Sequence, residues 1–296
     1  MDLSVSPIMP GVTAKGIGHA GLRWFDLTDT ANGVIRRVFL WLPPGEMPRA
    51  GWPALFMTDG NAVIATAIDA MRAQAPYPTG TNLGQGALIA IGYPTDDAYD
   101  PFRRSWDLGP PPGATYPPFW PGTPEVRTGG GAELARFILE DVCAFLATLT
   151  RLDPAQQGLF GHSFGGLFAL WLMFNRPDAF THWIAASPSI TWEDSFLLAH
   201  RDAFDPGGRE IRVHLSAGEW EGDLLAPFQR EAEDAGKRLA AKAKERTSDA
   251  AREMAEDLNR LPGVTAVYET YAGETHMSVL PVAVNRALHW VFGLRS

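Results

Sequence analysis

Short apolar runs alternate along the chain with longer stretches of helical periodicity. VIRRVFLWL (34–42) reads as a strand and PALFMT (53–58) as a short buried one, followed by a helical stretch from about Ala62 to Ala73. ALIAIG (87–92) is again a short apolar run. A helix is expected from about Ala132 to Leu149, then a strand (157–160), a helix (164–175) and a strand (182–187). IRVHLSA (211–217), a charged helical segment (224–262), VTAVYETY (264–271) and a last helix to about Phe292 complete the pattern. Short apolar strands separated by helices imply βαβ units, hence an α/β fold: a mostly parallel twisted sheet with helices on both faces. No repeat and no linker between two cores is visible, so residues 1–296 are expected to form a single domain.

Between the fourth and fifth regular blocks, residues 94–131 break the pattern. The chain holds 30 Gly and 24 Pro, where average usage of roughly 12% would give about 36 together. Thirteen of them fall in positions 109–131. Such a density of breakers predicts an irregular loop with no regular element. It should leave the sheet on the side where ligands bind, and Trp106, Trp120, Trp192 and Trp220 are expected at the same edge. Within the charged segment, residues 229–260 carry eight basic and eight acidic side chains, which predicts a solvated helix or helix pair laced by i,i+4 contacts, or else a lid or partner surface.

The formal net charge of −9 argues against a nucleic-acid or anionic-membrane partner. No apolar run approaches the ~18–20 residues needed to cross a bilayer. The opening MDLSVSPIMPG lacks a basic region and a long apolar stretch, so no secretory signal is read and a cytoplasmic protein is expected. One cysteine, Cys143, excludes an internal disulfide and reads as a small buried apolar side chain. No His/Cys cluster has zinc-like spacing, so neither a metal nor a cofactor is expected.

The chemistry is concentrated in QGLF-GHSFGG (157–166), which runs from a strand into the helix LFALWLMF. G-x-S-x-G between strand and helix is the nucleophile elbow: glycines let strand and helix pass close to a serine held on a strained turn. Ser163 is therefore the candidate nucleophile. The acid and the histidine should follow in that order. His276, in AGETHMS just past the strand VTAVYETY, is the candidate base. His289 (in a helix), His214 (inside a strand) and His162 (packed at the elbow) read as structural. The acid should lie in GEWEGD: Glu221 is favoured, with Glu219, Asp223 or a Ser–His dyad as alternatives. An oxyanion hole needs two donors. The N–H of Phe164 should supply one and that of Asn61, opening the helix after Thr58-Asp59-Gly60, the other, with Gly60 letting the backbone approach the substrate.

These residues resemble the esterase branch of the α/β-hydrolases, and within it the ferric-siderophore (enterochelin-esterase-like) esterases. FMTDGN (56–61), RRSWDLGPP (103–111), GHSFGG (161–166), AASPSITW (185–192), SAGEWE (216–221) and GETHMSVLP (273–281) carry the resemblance, which spans about residues 30 to 292. It implies hydrolysis of ester bonds in an iron-loaded siderophore, with iron released inside the cell by a Ser–His–(Glu) acyl-enzyme route. It also implies that Arg104 orients an acyl oxygen or polar groups of the ligand; an Arg104–Asp107 salt bridge bracing the loop is the structural alternative. Trp106 and Trp192 are expected to contact the substrate. Some relatives in this branch use Ser and His alone, which leaves Glu221 less fixed than its two partners. A general carboxylesterase, an acyltransferase of the same fold or a non-catalytic siderophore binder would be the rivals. The acidic chain and the few cations near the site (Arg103, Arg104, Arg127) favour a near-neutral, hydroxamate-type ligand over a tricatecholate. The oligomeric state is not readable.

Overall fold

The computed structural model describes residues 19–294; the reading of the first eleven residues falls outside them. Eight strands form one sheet: β1 (Leu22–Thr28), β2 (Ile35–Trp41), β3 (Trp52–Met57), β4 (Ala87–Gly92), β7 (Leu152–His162), β8 (His182–Ala186), β9 (Ile211–Gly218) and β10 (Val264–Tyr271). Their order is β1-β2-β4-β3-β7-β8-β9-β10. β1 and β2 run antiparallel to each other, as do β2 and β4, while β4, β3, β7, β8, β9 and β10 are parallel. A separate hairpin pairs β5 (Thr115–Tyr116) with β6 (Val126–Arg127).

Alternation along each central strand divides the core into two layers, because successive side chains leave opposite faces. Ala54, Phe56, Ile89, Leu159, Trp183 and Ala185 face one layer, where helices Phe164–Asn175 and Thr247–Leu258 pack. Leu55, Met57, Leu88, Ala90, Phe160 and Ile184 face the other, closed by helices Gly60–Gln74 and Leu280–Phe292. The helix Phe164–Asn175 is apolar all round and buries every side chain from Gly165 to Phe174, as a helix inside a layer must.

Three expectations are corrected. The sequence pattern missed β1, an edge strand with a half-exposed face. Residues 94–131 are not devoid of regular structure: they contain the helix Pro101–Leu108 and the β5–β6 hairpin. The helix lies just before the dense Gly/Pro run. It starts on an Asp100 cap whose carboxylate accepts the Arg103 N–H at 3.1 Å, with Pro101 in the first turn, a sequence signature of a helix start. Third, Asp107 does not pair with Arg104. It accepts two hydrogen bonds, of 2.9 and 2.7 Å, from Arg36, which also donates to Asp29 at 2.9 Å. Arg36 is fully buried and lies over the Phe137 ring, so this network ties β2 to the Gly/Pro-rich segment from beneath.

The charged stretch is a helix pair, Ala235–Glu245 and Thr247–Leu258. The second carries a buried face; the first buries no side chain. Arg238–Asp234 and Arg252–Glu256 are i,i+4 pairs of the expected kind. Cys143 is half-buried, and burial raises its thiol pKa, which keeps it in the unreactive protonated form. No helix among the described residues is long and apolar enough to cross a membrane.

Candidate active site

Strands β3, β7, β8, β9 and β10 each deliver a candidate site residue beyond the carboxyl end, where this sheet architecture gathers ligands. β7 ends at His162, and Ser163 follows at φ 58°, ψ −114°, a conformation unusual for a residue with a side chain. The flanking glycines make that turn possible. A β-carbon at Gly161 would overlap the carbonyl of Gly165, and one at Gly165 would strike the Thr58 hydroxyl.

The Ser163 hydroxyl lies 2.9 Å from His276 Nε2, and His276 Nδ1 lies 2.6 Å from Glu221 Oε2. With Nδ1–H donating to the carboxylate, Nε2 is left to accept the serine proton. Of the three acids offered by GEWEGD, Glu221 is the one hydrogen-bonded to His276. β9 ends at Gly218 and a tight turn over Glu219–Glu221 folds the third residue back, so that Glu221 Oε1 accepts from the Gly218 N–H at 2.7 Å and from the Ser187 hydroxyl at 2.6 Å. Both oxygens of this buried carboxylate are therefore used. Burial alone would raise its pKa. The hydrogen bond and charge of His276, then Ser187 and Gly218, outweigh it and bring the group below its ordinary value. Glu219 instead braces the histidine loop, accepting from the Gly273 N–H at 2.7 Å. Ser187, fully buried at φ 46°, was not singled out from the sequence. It sits past the end of β8, in the segment AASPSITW.

His162 packs at the elbow, its ring 4.9 Å from that of His276 and its Nε2–H donating to the His276 carbonyl at 2.9 Å. Burial, then repulsion from His276, lowers its pKa to about 4, so it stands neutral beside the site. His214 and His289 are also structural: His214 meets Glu269 at 3.2 Å inside the sheet, and His289 meets Gln74 at 2.8 Å.

The turn after β3 places Asp59 at φ 54° and starts a helix at Gly60. Gly60, expected to let the backbone approach the substrate, has a packing reason of its own to be glycine. A β-carbon there would press on the backbone of Ala90, Ile91 and Gly92, so the glycine is needed for close packing on β4. Asn61 is clamped to the end of β4: its side chain accepts from the Tyr93 N–H at 2.9 Å and donates to the carbonyls of Tyr93 (3.1 Å) and Thr95 (2.9 Å). As the second residue of its helix, Asn61 has an N–H without an i−4 partner in the helix. The N–H of Phe164, first in its own helix, is in the same position.

A pocket of about 340 Å³ opens over Ser163, lined by Arg104, Ser105, Tyr116, Phe119, Val126, Thr128, Phe164 and Trp192. The Gly/Pro-rich segment thus forms one wall. Trp192 forms another, its ring edge-on to Phe164 at 5.1 Å. Tyr116 joins the two walls through a hydrogen bond to Glu193. Trp106 is not in this pocket. It lines a separate cavity of about 380 Å³ with Phe102, Arg103 and Arg127, and the Arg127 guanidinium lies over its ring. The reason is helical geometry: positions 104 and 106 of one helix cannot share a face. Arg104 faces Ser163 but is held by Asp59, Nε to Oδ1 at 2.9 Å and Nη2 to Oδ2 at 3.0 Å. On the other side of the histidine, a pocket of about 230 Å³ runs between Trp220, Glu221, His276 and Met277 and the exposed helix bearing Arg238 and Lys242. No group of three or more acidic, histidine or cysteine side chains suited to a metal occurs among the described residues.

Residues 31–272 match the family described as "Putative esterase". The chain belongs to that family. It is an α/β-hydrolase-fold esterase of the carboxylic-ester class. The esterase is 34% identical over 260 residues to ferri-bacillibactin esterase BesA of Bacillus subtilis (strain 168), covering 86% of this chain and 83% of that one. It is 33% identical over 261 residues to siderophore triacetylfusarinine C esterase of Aspergillus fumigatus, covering 82% of each. Among solved structures, siderophore hydrolase EstA from Aspergillus nidulans superposes with a TM-score of 0.77 at 29% identity over 99% of both chains.

Proposed function

We propose that this esterase hydrolyses ester bonds of a ferric siderophore, releasing the iron, by a Ser163–His276–Glu221 acyl-enzyme mechanism. The observation that carries the reading is the unbroken hydrogen-bonded run from the Ser163 hydroxyl through His276 to Glu221, open to a pocket with aromatic walls. The relatives named for siderophore esters support the substrate class.

His276 Nε2 takes the proton of Ser163 as its oxygen attacks the ester carbonyl. The oxyanion is held by the N–H groups of Phe164 and Asn61. Glu221 keeps the productive tautomer of His276 and stabilises its cation. His276 then protonates the departing alcohol, and the same imidazole activates the water that releases the acyl group. Residues 19–294 act as one domain in which segment 94–131 supplies the ligand wall.

Of the residues lining the Ser163 pocket, Arg104 alone is charged, and Asp59 neutralises it; Arg103 and Arg127 lie in the other cavity. This favours a near-neutral hydroxamate-type complex over a highly anionic one. A single cysteine, half-buried and unpaired, suits a reducing, intracellular setting.

Ser163→Ala is expected to abolish p-nitrophenyl ester turnover, and wild-type rates in that variant would refute the mechanism. Mass spectrometry of products from a panel of ferric hydroxamate and catecholate esters tests the substrate. Intact ligands throughout would refute the siderophore reading.

A further inference from the structure

Arg104 faces the pocket over Ser163, where a guanidinium could meet a ligand. Two of its three nitrogens are directed elsewhere. Nε and Nη2, one whole edge of the fork, are spent on the two oxygens of Asp59. That carboxylate is only 4% exposed and sits on a residue held at φ 54°, ψ 45°, the residue immediately before helix Gly60–Gln74. The turn rests directly on the nucleophile's helix: a β-carbon at Gly165 would touch the Thr58 hydroxyl and lie 3.7 Å from Asp59 Oδ2. On the far side, the Asn61 side chain pins the same turn to the end of β4.

We infer that Arg104 is a positioning residue: it acts through Asp59 to hold the Thr58–Asn61 turn, and with it the Asn61 N–H, against Ser163. This rests on the esterase reading of Ser163 and of that N–H. The physical argument is one of alternatives. A buried carboxylate that loses its only cation must reach water or take up a proton. Either change releases the left-handed turn, and a donor displaced by a fraction of an ångström no longer meets the developing oxyanion. A lysine would not substitute fully, since a single ammonium does not span both oxygens as the fork does.

The test compares Arg104→Gln, Arg104→Lys and Asp59→Asn on p-nitrophenyl acetate, a small neutral ester that gives a ligand-binding arginine nothing to grip. Arg104→Gln and Asp59→Asn should each lower kcat on it by about 100-fold, the scale of losing one oxyanion donor, with KM within about twofold. Arg104→Lys should recover only part of that rate. Phosphorylation of the Ser163 hydroxyl by diethyl p-nitrophenyl phosphate, with loss of p-nitrophenolate, should slow in parallel. Wild-type kcat on p-nitrophenyl acetate, with KM raised only for larger charged esters, would overturn the inference and make Arg104 a ligand contact. Melting curves identify any variant that does not fold, and Arg104→Lys with Asp59→Asn then decide the matter. Wild-type protein inert toward ferric siderophores would sink the substrate proposal but leave this test standing.

Discussion

The two regions that meet at Ser163 are built differently. On one side, Ser163, Ser187, Glu221 and His276 stand just beyond parallel strand ends, and their polar atoms are tied to each other and to buried backbone. On the other, Tyr116, Phe119 and Trp192 come from short, partly exposed segments, held by ring contacts and one side-chain hydrogen bond. Reacting groups need positions fixed to a fraction of an ångström, which strand ends supply. Ligand walls need shape and apolar surface, which a loop supplies and can vary without disturbing the sheet. The prediction is that damage to the first side appears in kcat and damage to the second in KM.

The largest expected effect breaks the strand-end side. Glu221→Gln keeps the volume but removes the charge opposite His276, and kcat on p-nitrophenyl butyrate should fall by about 10³-fold, with KM little changed. A loss below tenfold would show a Ser–His dyad at work.

Next comes acid. His162 and His182 are buried in the sheet region with pKa values of about 4, against 6.5 for a free histidine, chiefly because burial disfavours the cation. Between those values the unfolded chain binds more protons than the folded one. Stability is therefore full above about pH 6.5 and declines as pH falls toward 4, by on the order of 2–3 kcal/mol for each histidine. Urea titrations at pH 7 and pH 5 measure the drop, and His182→Gln should remove part of it.

The smallest effect sharpens the contrast from the loop side. Phe119→Ala should raise KM for a bulky aryl ester three- to tenfold while kcat on p-nitrophenyl acetate stays within about twofold. A large fall in kcat would mean that the loop also positions the reacting groups.

The same division explains what could be read in advance. Strands β3, β4, β8, β9 and β10 follow from their apolar runs, and helix Phe164–Asn175 matches its expected bounds, because sheet and elbow are local patterns. Ser163 and His276 were legible for that reason. Glu221 could only be placed among three acids, since its selection depends on a turn that brings it to Ser187, 34 residues away in sequence. Arg104–Asp59 and Arg36–Asp107 were invisible: each pair joins residues 45 or more positions apart on different elements. That Trp106 lines a different cavity from Ser163 could not be foreseen, because counting aromatic residues in a segment ignores which helix face they leave. The helix that carries it had a legible start in Asp100 and Pro101, obscured by the Gly/Pro run that follows.

The backbone at Ser163 has a consequence for how this sequence can change. A positive φ with ψ near −114° suits glycine far better than any residue with a β-carbon. Ser163→Gly is therefore expected to relieve backbone strain while removing the hydroxyl on which the proposed mechanism depends. Under the proposed mechanism, durability and turnover make opposite demands on this one position.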